Sequence, residues 1–274
     1  MQTPPGYLGH KGRAMLSYQH IYHAGNLADV QKHALLAWVL AYLTKKDKPL
    51  TYVETHAGRG LYDLGSFEAL KTGEAAAGIA VAEERGWFAP DHPYAKVLKG
   101  VRDEHGRDAY PGSPLVAAGA LRAMDNLQLA ELHPKEFAAL DELMAGRAVR
   151  VKRDGVEYAK SILPPEPRRG VLLVDPPYEI KDDYKTMADL LVQVHKKWNV
   201  GVLMLWYPIL KDGPHKPMLR TLEQAIPDGI RHEVKFPPAR DGHRMIGSGM
   251  FVVNAPYGFT EESARLSKLF GTLA

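Results

Sequence analysis

The stretch VLLVDPPYEI, residues 171–180, joins a strand-like apolar run to polar groups that could do chemistry. The apolar residues predict a buried strand, which is followed by Asp175, Pro176, Pro177 and Tyr178. Proline fixes φ and donates no hydrogen bond, so two prolines beside a carboxylate predict a rigid turn. The Asp175 carboxylate and the Pro176 carbonyl would then be two fixed hydrogen-bond acceptors with an aromatic ring beside them.

Acidic residues also follow the other strand-like runs. Glu54 ends the run LTYVE, Glu131 ends LQLAE, and Asp154 follows RAVRVKR. Open α/β sheets bind their ligands in the crevice at the carboxyl ends of the strands. We therefore expect these acids and Asp175 to surround one ligand.

The glycine turn HAGRG at 56–60 limits the identity of that ligand. After Gly58 and Gly60 the third position of a dinucleotide fingerprint is Asp63, and no P-loop sequence occurs. A glycine turn without a phosphate cradle, followed by an acid able to accept both ribose hydroxyls, fits the adenosyl group of S-adenosylmethionine.

With this cofactor, DPPY predicts transfer of a methyl group to an exocyclic amine. The amine is a poor nucleophile because its lone pair is delocalised into the ring. Asp175 and Pro176 would each accept one of its N–H groups and direct the lone pair towards the methyl donor, while Tyr178 stacks on the base. The other interpretation of the motif is a rigid turn without a catalytic role.

The elements that position these residues are predicted to alternate between strand and helix, which indicates a doubly wound α/β sheet. A helix over 27–43, capped by Asn26 with Asp29 in its first turn, precedes the first strand. A second helix spans about 184–197 and precedes a strand at 200–208. Extended runs at 230–238 and 249–256 predict a C-terminal antiparallel hairpin.

Two regions depart from this alternation. Residues 62–110 predict a small helical insertion after the first strand, with helices over 66–85 and 93–105 and no convincing strand. Residues 1–14 are polar and rich in Gly and Pro, and we interpret them as a leader or extension before a domain over 15–274.

Composition narrows the class of protein. The chain has 274 residues, a formal net charge of +3 and no cysteine. The charge permits an anionic partner, and the lack of cysteine excludes disulfides and thiolate metal sites and fits a cytoplasmic protein. No apolar run suggests a membrane span. His20 and His23 lack further ligands at metal-site spacing, so no metal is expected.

Three basic pairs, at 45–46, 168–169 and 196–197, are interpreted as solvated surface. The aromatic pair at 206–207 is interpreted as core at a strand end. The loop ARDGHR, 239–244, has two arginines that either grip RNA or lie at a solvated hairpin tip.

Several motifs accompany DPPY, and together they resemble the RlmJ family, bacterial enzymes that methylate the exocyclic N6 of one adenine in large-subunit (23S) ribosomal RNA. They are MLSYQHIYHAGNLADVQKH (15–33), THAGRG (55–60), YPGSP (110–114), ELHP (131–134), DPPYE (175–179) and GSGMFVVNAP (247–256). The resemblance covers nearly the whole chain from Met15. It implies a Rossmann-like, S-adenosylmethionine-dependent methyltransferase sheet, a helix that helps to close the cofactor pocket, and the small helical insertion.

The resemblance also implies roles for individual residues. The implied cofactor contacts are His33, His56, Ser113, Glu131, Asp154, Gly155 and Asp175, and Asp175 is also the implied proton acceptor. The implied substrate contacts are Tyr18, His20, Lys32, Pro176, Pro177 and Tyr178. Lys32, one residue from His33 on the helix, is expected to face the RNA and hold a phosphate.

Two alternatives to an RNA adenine methyltransferase stay open. One is a DNA adenine methylase, because DPPY alone also fits DNA and protein-glutamine methylases. The other is a non-catalytic RNA-binding module, against which the intact motif argues because binding alone has no use for paired amine acceptors. On RNA the base must leave its stack, which favours a loop or unfolded, early-assembly 23S RNA as the substrate. The enzyme is expected to be a monomer.

Overall fold

The structure, a computed structural model, describes residues 18–238, 242 and 244–273. In these residues seven strands form one sheet and two more form a separate ribbon. The strands are β1 Thr51–Glu54, β2 Leu61–Asp63, β3 Ala109–Pro111, β4 Asn126–Ala130, β5 Val149–Val151, β6 Gly170–Val174, β7 Val202–Leu210, β8 Ile230–Lys235 and β9 Met245–Val253. Residues 1–17, and with them the predicted leader, lie outside the described residues.

Helices connect most of these strands. They are α1 Leu27–Leu43, α2 Phe67–Thr72, α3 Glu74–Ala77, α4 Ile79–Glu84, α5 Pro93–His105, α6 Ser113–Ala120, α7 Pro134–Leu143, α8 Gly155–Ile162, α9 Asp182–Lys197, α10 Lys216–Ala225 and α11 Phe259–Gly271, after a 3-10 turn at His20–Tyr22. The predicted cap of α1 is confirmed, because the Asn26 side chain accepts a hydrogen bond from the Asp29 amide at 2.9 Å. No helix in the described residues is long and apolar enough to cross a membrane.

The large sheet has the order β5-β4-β1-β6-β7-β9-β8. The first five strands in this order, from β5 through β4, β1 and β6 to β7, are parallel. Strand β9 pairs antiparallel with both β7 and β8. This is a Rossmann-like sheet extended by an antiparallel hairpin, as the sequence predicts. The strand order reverses between β1 and β6, and open α/β sheets bind ligands beside such a point.

Both faces of the sheet are covered by helices. Successive side chains of a strand point to opposite faces, so each strand contributes to two cores. In β6, Val171 and Leu173 pack into the core that contains α1, whereas Leu172 and Val174 pack into the core that contains α9. A strand buried on both faces reads as a continuous apolar run, which is why GVLLV was recognisable in the sequence.

The region after β1 is more broken than predicted. The expectation that it contains no strand is wrong, since β2 and β3 pair as an antiparallel ribbon with Leu61 opposite Pro111. The helix expected over 66–85 is three short helices, interrupted at Gly73 and Gly78. A Cβ at Gly78 would lie 2.2 Å from the Gly25 carbonyl oxygen, so this glycine allows the insertion to contact the residues that precede α1.

Candidate active site

A cavity of about 880 Å³ lies over the carboxyl ends of the parallel strands. The cofactor and substrate residues implied by the family resemblance all line it. They are Tyr18, His20, Lys32, His33, His56, Ser113, Glu131, Asp154, Gly155, Asp175, Pro176, Pro177 and Tyr178. They come from chain segments more than a hundred residues apart, and the parallel sheet brings them together because its strands end at the same edge.

The DPPY turn begins directly after β6 and is held by side chains as well as by its prolines. Tyr178 has a φ of 51°, a left-handed conformation that is uncommon for a residue with a side chain. Its hydroxyl donates to the Trp206 carbonyl oxygen at 2.8 Å, and its ring lies 4.4 Å from the Tyr184 ring. These contacts fix the turn, as expected of a group that must present acceptors in one orientation.

Asp175 is partly buried and forms an ion pair across the cavity wall. Its Oδ2 lies 2.5 Å from the Lys32 Nζ, and the same ammonium lies 3.0 Å from the Asp29 Oδ1. Burial acts to lower the pKa of Lys32, but the two carboxylates outweigh it and raise that pKa. Lys32 is therefore a fixed cation beside Asp175.

This position differs from the one expected for Lys32. Only 4% of the residue is exposed, and its charge is already compensated by two carboxylates. The expectation that Lys32 faces the RNA and holds a phosphate assumed that neighbouring residues of α1 face different environments. In the structure α1 is buried on nearly all sides, and Lys32 and His33 both line the cavity.

Asp29 links Lys32 to the segment before α1. Its Oδ2 lies 2.8 Å from the His20 Nε2 and accepts the Gly25 amide at 3.0 Å. The Tyr18 hydroxyl in turn lies 2.8 Å from the His20 Nδ1. Burial acts to raise the pKa of Asp29, but His20 and Lys32 hold that pKa well below its usual range.

A second contact fastens the same segment to the DPPY turn. The Tyr18 amide donates to the Glu179 Oε1 at 2.9 Å, and the Tyr18 ring stacks on the His23 ring at 5.4 Å. The predicted substrate residues Tyr18 and His20 are therefore connected to the DPPY turn, Tyr18 through Glu179 and His20 through Asp29 and Lys32. In the described residues no group of three or more His, Asp or Glu is placed to hold a metal ion.

Glu131 lies at the end of β4, on the other side of the cavity. Its Oε2 accepts the Gly58 amide at 2.8 Å, and its Oε1 accepts the His133 amide at 2.7 Å. Burial raises the pKa of Glu131, and the two amides oppose this shift. The glycine turn and the acid that were predicted to act together are thus in direct contact, and each carboxylate oxygen keeps acceptor capacity for a ligand.

Asp154 and Gly155 begin α8 beside them. The Asp154 side chain caps the helix by accepting the Val156 amide at 3.0 Å and the Glu157 amide at 3.1 Å. A Cβ at Gly155 would lie 1.8 Å from the Thr55 carbonyl oxygen. Glycine is therefore required here so that the start of α8 can approach the turn after β1.

The three remaining predicted cofactor residues have defined partners in the cavity wall. His33 Nδ1 lies 3.1 Å from the Tyr110 hydroxyl, and burial lowers the pKa of His33 to about 3, so its ring is neutral at ordinary pH. His56 Nδ1 lies 2.7 Å from the Thr55 hydroxyl. The Ser113 hydroxyl donates to the Glu54 carboxyl group, which lies beneath the cavity.

Sequence reasoning missed Asp29 and Trp206 and misplaced Glu54. Asp29 was noted only as a first-turn acid, although its spacing from Lys32 and His33 places all three on one face of a helix. Trp206 was interpreted as core, but it lines the cavity, and the Lys32 Nζ lies 5.6 Å from its ring centroid. Glu54 was expected to face the ligand and instead is fully buried. Of the loop 239–244, only Gly242 and Arg244 are described, and both line the cavity.

The fold and this cavity define a Rossmann-like methyltransferase. Residues 47–271 match the family described as Ribosomal RNA large subunit methyltransferase D, RlmJ. The chain belongs to this family, and the resemblance stated from its motifs is confirmed.

Individual relatives agree with this assignment. The chain is 41% identical over 259 residues to the Ribosomal RNA large subunit methyltransferase J of Escherichia coli, covering 90% of both chains. It is 39% identical over 253 residues to the protein of the same name from Haemophilus influenzae, covering 89% of this chain and 88% of the other. A crystal structure of a Legionella pneumophila protein, 35% identical, superimposes with a TM-score of 0.82 over 92% of this chain and 94% of the other.

Proposed function

We propose that this protein transfers a methyl group from S-adenosylmethionine to the exocyclic N6 of an adenine in 23S ribosomal RNA. The observation that carries the proposal is Asp175, held by Lys32 in a rigid DPPY turn at the edge of a cavity whose other wall holds Glu131. The names of the relatives, which are large-subunit ribosomal RNA methyltransferases, support the same reaction on the same class of substrate.

In this reaction the turn provides two acceptors for the amine of the adenine. A carboxylate has about four lone-pair sites, so the bond to Lys32 leaves Asp175 able to accept an N–H from the substrate. The Pro176 carbonyl would accept the second N–H. Tyr178 and Trp206 offer aromatic surface for the base, and both are fixed by hydrogen bonds to other parts of the protein.

The residues on the other wall fit S-adenosylmethionine. A volume of about 880 Å³ is ample for this cofactor together with a base, since small-molecule sites span roughly 300–1,000 Å³. Glu131 would accept hydrogen bonds from the ribose hydroxyls of the cofactor, and Asp154 with Gly155 would contact the adenine of the cofactor. His33, His56 and Ser113 would complete the cofactor wall. When bound, the cofactor supplies an electrophilic methyl group.

The substrate base has to leave its stack to enter the cavity, which favours a loop or unfolded, early-assembly 23S RNA. Tyr18 and His20 would contact the target nucleotide. We further propose a monomeric, cytoplasmic enzyme in which residues 15–274 form the methyltransferase domain, residues about 62–110 are its insertion, and residues 1–14 are a leader.

The test is methyl transfer from labelled S-adenosylmethionine to unmodified 23S ribosomal RNA, followed by mass spectrometry of the nucleosides. We expect N6-methyladenosine to appear. A DNA oligomer of the same sequence is the competing substrate. Equal activity on the DNA would favour a DNA adenine methylase, and no methylated nucleoside on either would favour a binding module.

A further inference from the structure

The three basic pairs that were interpreted as ordinary surface come together in the structure. Two of them lie in the loops that precede β1 and β6, and the third, Lys196 and Lys197, ends α9 before β7. All three share the amino-terminal edge of the parallel sheet with the loop before β4. We define the basic edge as residues 45–48, 122–125, 166–169 and 196–197. It lies at the end of the strands opposite the candidate active site.

Hydrogen bonds join these four segments into one surface. The Arg122 guanidinium donates to the carbonyl oxygens of Lys46 at 2.7 Å and Lys48 at 2.8 Å. The Arg169 guanidinium donates to the same Lys48 carbonyl oxygen at 2.9 Å. Arg168 donates to the Lys197 carbonyl oxygen at 3.2 Å. Because these contacts use backbone acceptors, they fix the loops without neutralising Arg168 and Arg169, whereas Arg122 also forms an ion pair with Asp125 at 2.9 Å.

The basic edge concentrates positive charge. Its segments hold eight Lys and Arg against the three acids Asp47, Asp125 and Glu166, a net charge of +5, whereas the whole chain carries only +3. The rest of the chain is therefore net negative. A positive surface of this kind attracts polyanions.

Four lysines of this surface are exposed and available to bind an anionic partner. Lys46, Lys48, Lys196 and Lys197 are exposed, and in the described part of the chain none of them forms an ion pair. By contrast, the lysines Lys99, Lys160 and Lys185 elsewhere on the surface each pair with a carboxylate three or four residues away on the same helix.

We propose that the basic edge is a second RNA-binding surface, which holds backbone phosphates of the substrate at a distance from the methylated base. The inference rests on the proposed function, since it takes the partner to be ribosomal RNA. Lysine contacts to phosphates position a nucleic acid without reading its sequence. The surface therefore contributes affinity for long RNA and none of the selectivity for the target adenine.

The geometry makes RNA length the decisive variable. A five-residue strand spans about 17 Å. The basic edge and the cavity lie at opposite ends of the strands, so they are separated by at least this length. An RNA of a few nucleotides that fills the cavity does not reach the basic edge. A large fragment that wraps around one side of the domain does.

The test compares two variants that each remove four positive charges. The first is Lys46→Ala/Lys48→Ala/Lys196→Ala/Lys197→Ala in the basic edge. The control is Lys99→Ala/Lys160→Ala/Lys235→Ala/Lys268→Ala on other surfaces. Both are checked for unchanged thermal unfolding and unchanged S-adenosylmethionine affinity, then assayed on a 23S transcript and on the shortest fragment of it that the wild type still methylates.

For the basic-edge variant we expect a higher KM on the full transcript, an unchanged kcat, and an unchanged KM on the short fragment. Filter binding of the transcript gives the slope of log affinity against log salt concentration. The magnitude of this slope should be smaller than in the wild type by about 2 to 3, because each of four phosphate contacts to a single strand contributes about 0.7. The control variant should match the wild type.

Equal losses in the two variants, equal losses on the two RNAs, or an unchanged salt dependence would each overturn the second surface. Failure of the proposed function is a separate result, namely a wild-type protein that transfers no methyl group to the transcript. In that case filter binding still decides whether the basic edge binds RNA.

Discussion

At the residue scale, the central contact is the ion pair between Asp175 and Lys32. The Lys32 ammonium fixes the orientation of the Asp175 carboxylate, which keeps lone pairs free to accept an N–H of the substrate amine. The arrangement therefore favours a role for Asp175 in orienting the amine.

Substituting Asp175→Ala should lower the rate of methyl transfer by about 100-fold or more, because one of the two amine acceptors is lost. The matched control is Asp182→Ala, an exposed acid in the first turn of α9. Single-turnover methylation of RNA measures both. A mutant with most of the wild-type rate would reduce Asp175 to a turn residue.

Substituting Lys32→Met should lower kcat and should destabilise the fold by about 3–5 kcal/mol, since it leaves Asp29 and Asp175 without their cation. Lys32→Arg, which keeps the charge, is the control for stability. Urea unfolding and steady-state kinetics at two salt concentrations distinguish the two roles considered for Lys32. A loss confined to the KM for RNA, and smaller at high salt, would instead support the phosphate contact.

Substituting Glu131→Ala should weaken S-adenosylmethionine binding by about 1–3 kcal/mol, because the ribose hydroxyls lose a charged acceptor. Removal of the carboxylate also releases the Gly58 and His133 amides. Calorimetry with the purified variant measures the affinity, and thermal unfolding shows whether the turn still forms. Unchanged affinity would place the ribose contact on another residue.

At the element scale, the elements that were predictable are those whose residues form a regular pattern. The apolar run of β6 and the Asn26 cap of α1 are readable because local sequence determines them. The β2–β3 ribbon is not, because each strand has three residues and its partner is distant in the chain. Helices α6, α8, α10 and α11 were not predicted, and α6 and α8 have only eight residues each, too few for a clear helical period.

The same limit applies to the site. Asp175 and Glu131 could be identified because each follows a predicted strand, and their proximity then follows from the fold class. His33, His56 and Ser113 could be named only through the resemblance to a family, because neither their type nor their spacing distinguishes them. The compensation of Lys32 by Asp29 and Asp175 depends on how α1 packs against the sheet, which a pattern does not specify.

The approach of α8 to the turn after β1 leads to an element-scale prediction. Gly155→Ala should destabilise the protein and weaken cofactor binding, because the new methyl group would collide with the Thr55 backbone and displace the turn that carries His56 and Gly58. Gly146→Ala is a suitable control for the loss of a glycine, since no atom lies within 4 Å of its Cβ position, although its φ of 74° carries a cost of its own. Calorimetry and thermal unfolding of both variants provide the comparison.

At the scale of the whole molecule, the two edges of the sheet have opposite properties. The carboxyl edge collects the acids and aromatics of the candidate active site, while the amino-terminal edge collects uncompensated lysines. This separation follows from parallel strands, which place all their loops of one kind at the same edge. Beneath the cavity the sheet also contains the fully buried Glu54, which makes overall stability depend on pH.

Burial raises the pKa of Glu54 to about 8, although bonds from Ser113 and Tyr52 oppose this shift. The unfolded chain releases this proton at its ordinary value of 4.5, so between pH 4.5 and about 8 the folded state holds a proton that the unfolded state does not. The free energy of unfolding should therefore lose a contribution as the pH rises through that interval. Glu54→Gln has no such proton to lose, so relative to the wild type it should become progressively more stable from pH 5 to pH 8.5. Urea unfolding of the two proteins at several pH values measures the difference, and a difference that stays constant over this interval would show that Glu54 is ionised in the folded protein.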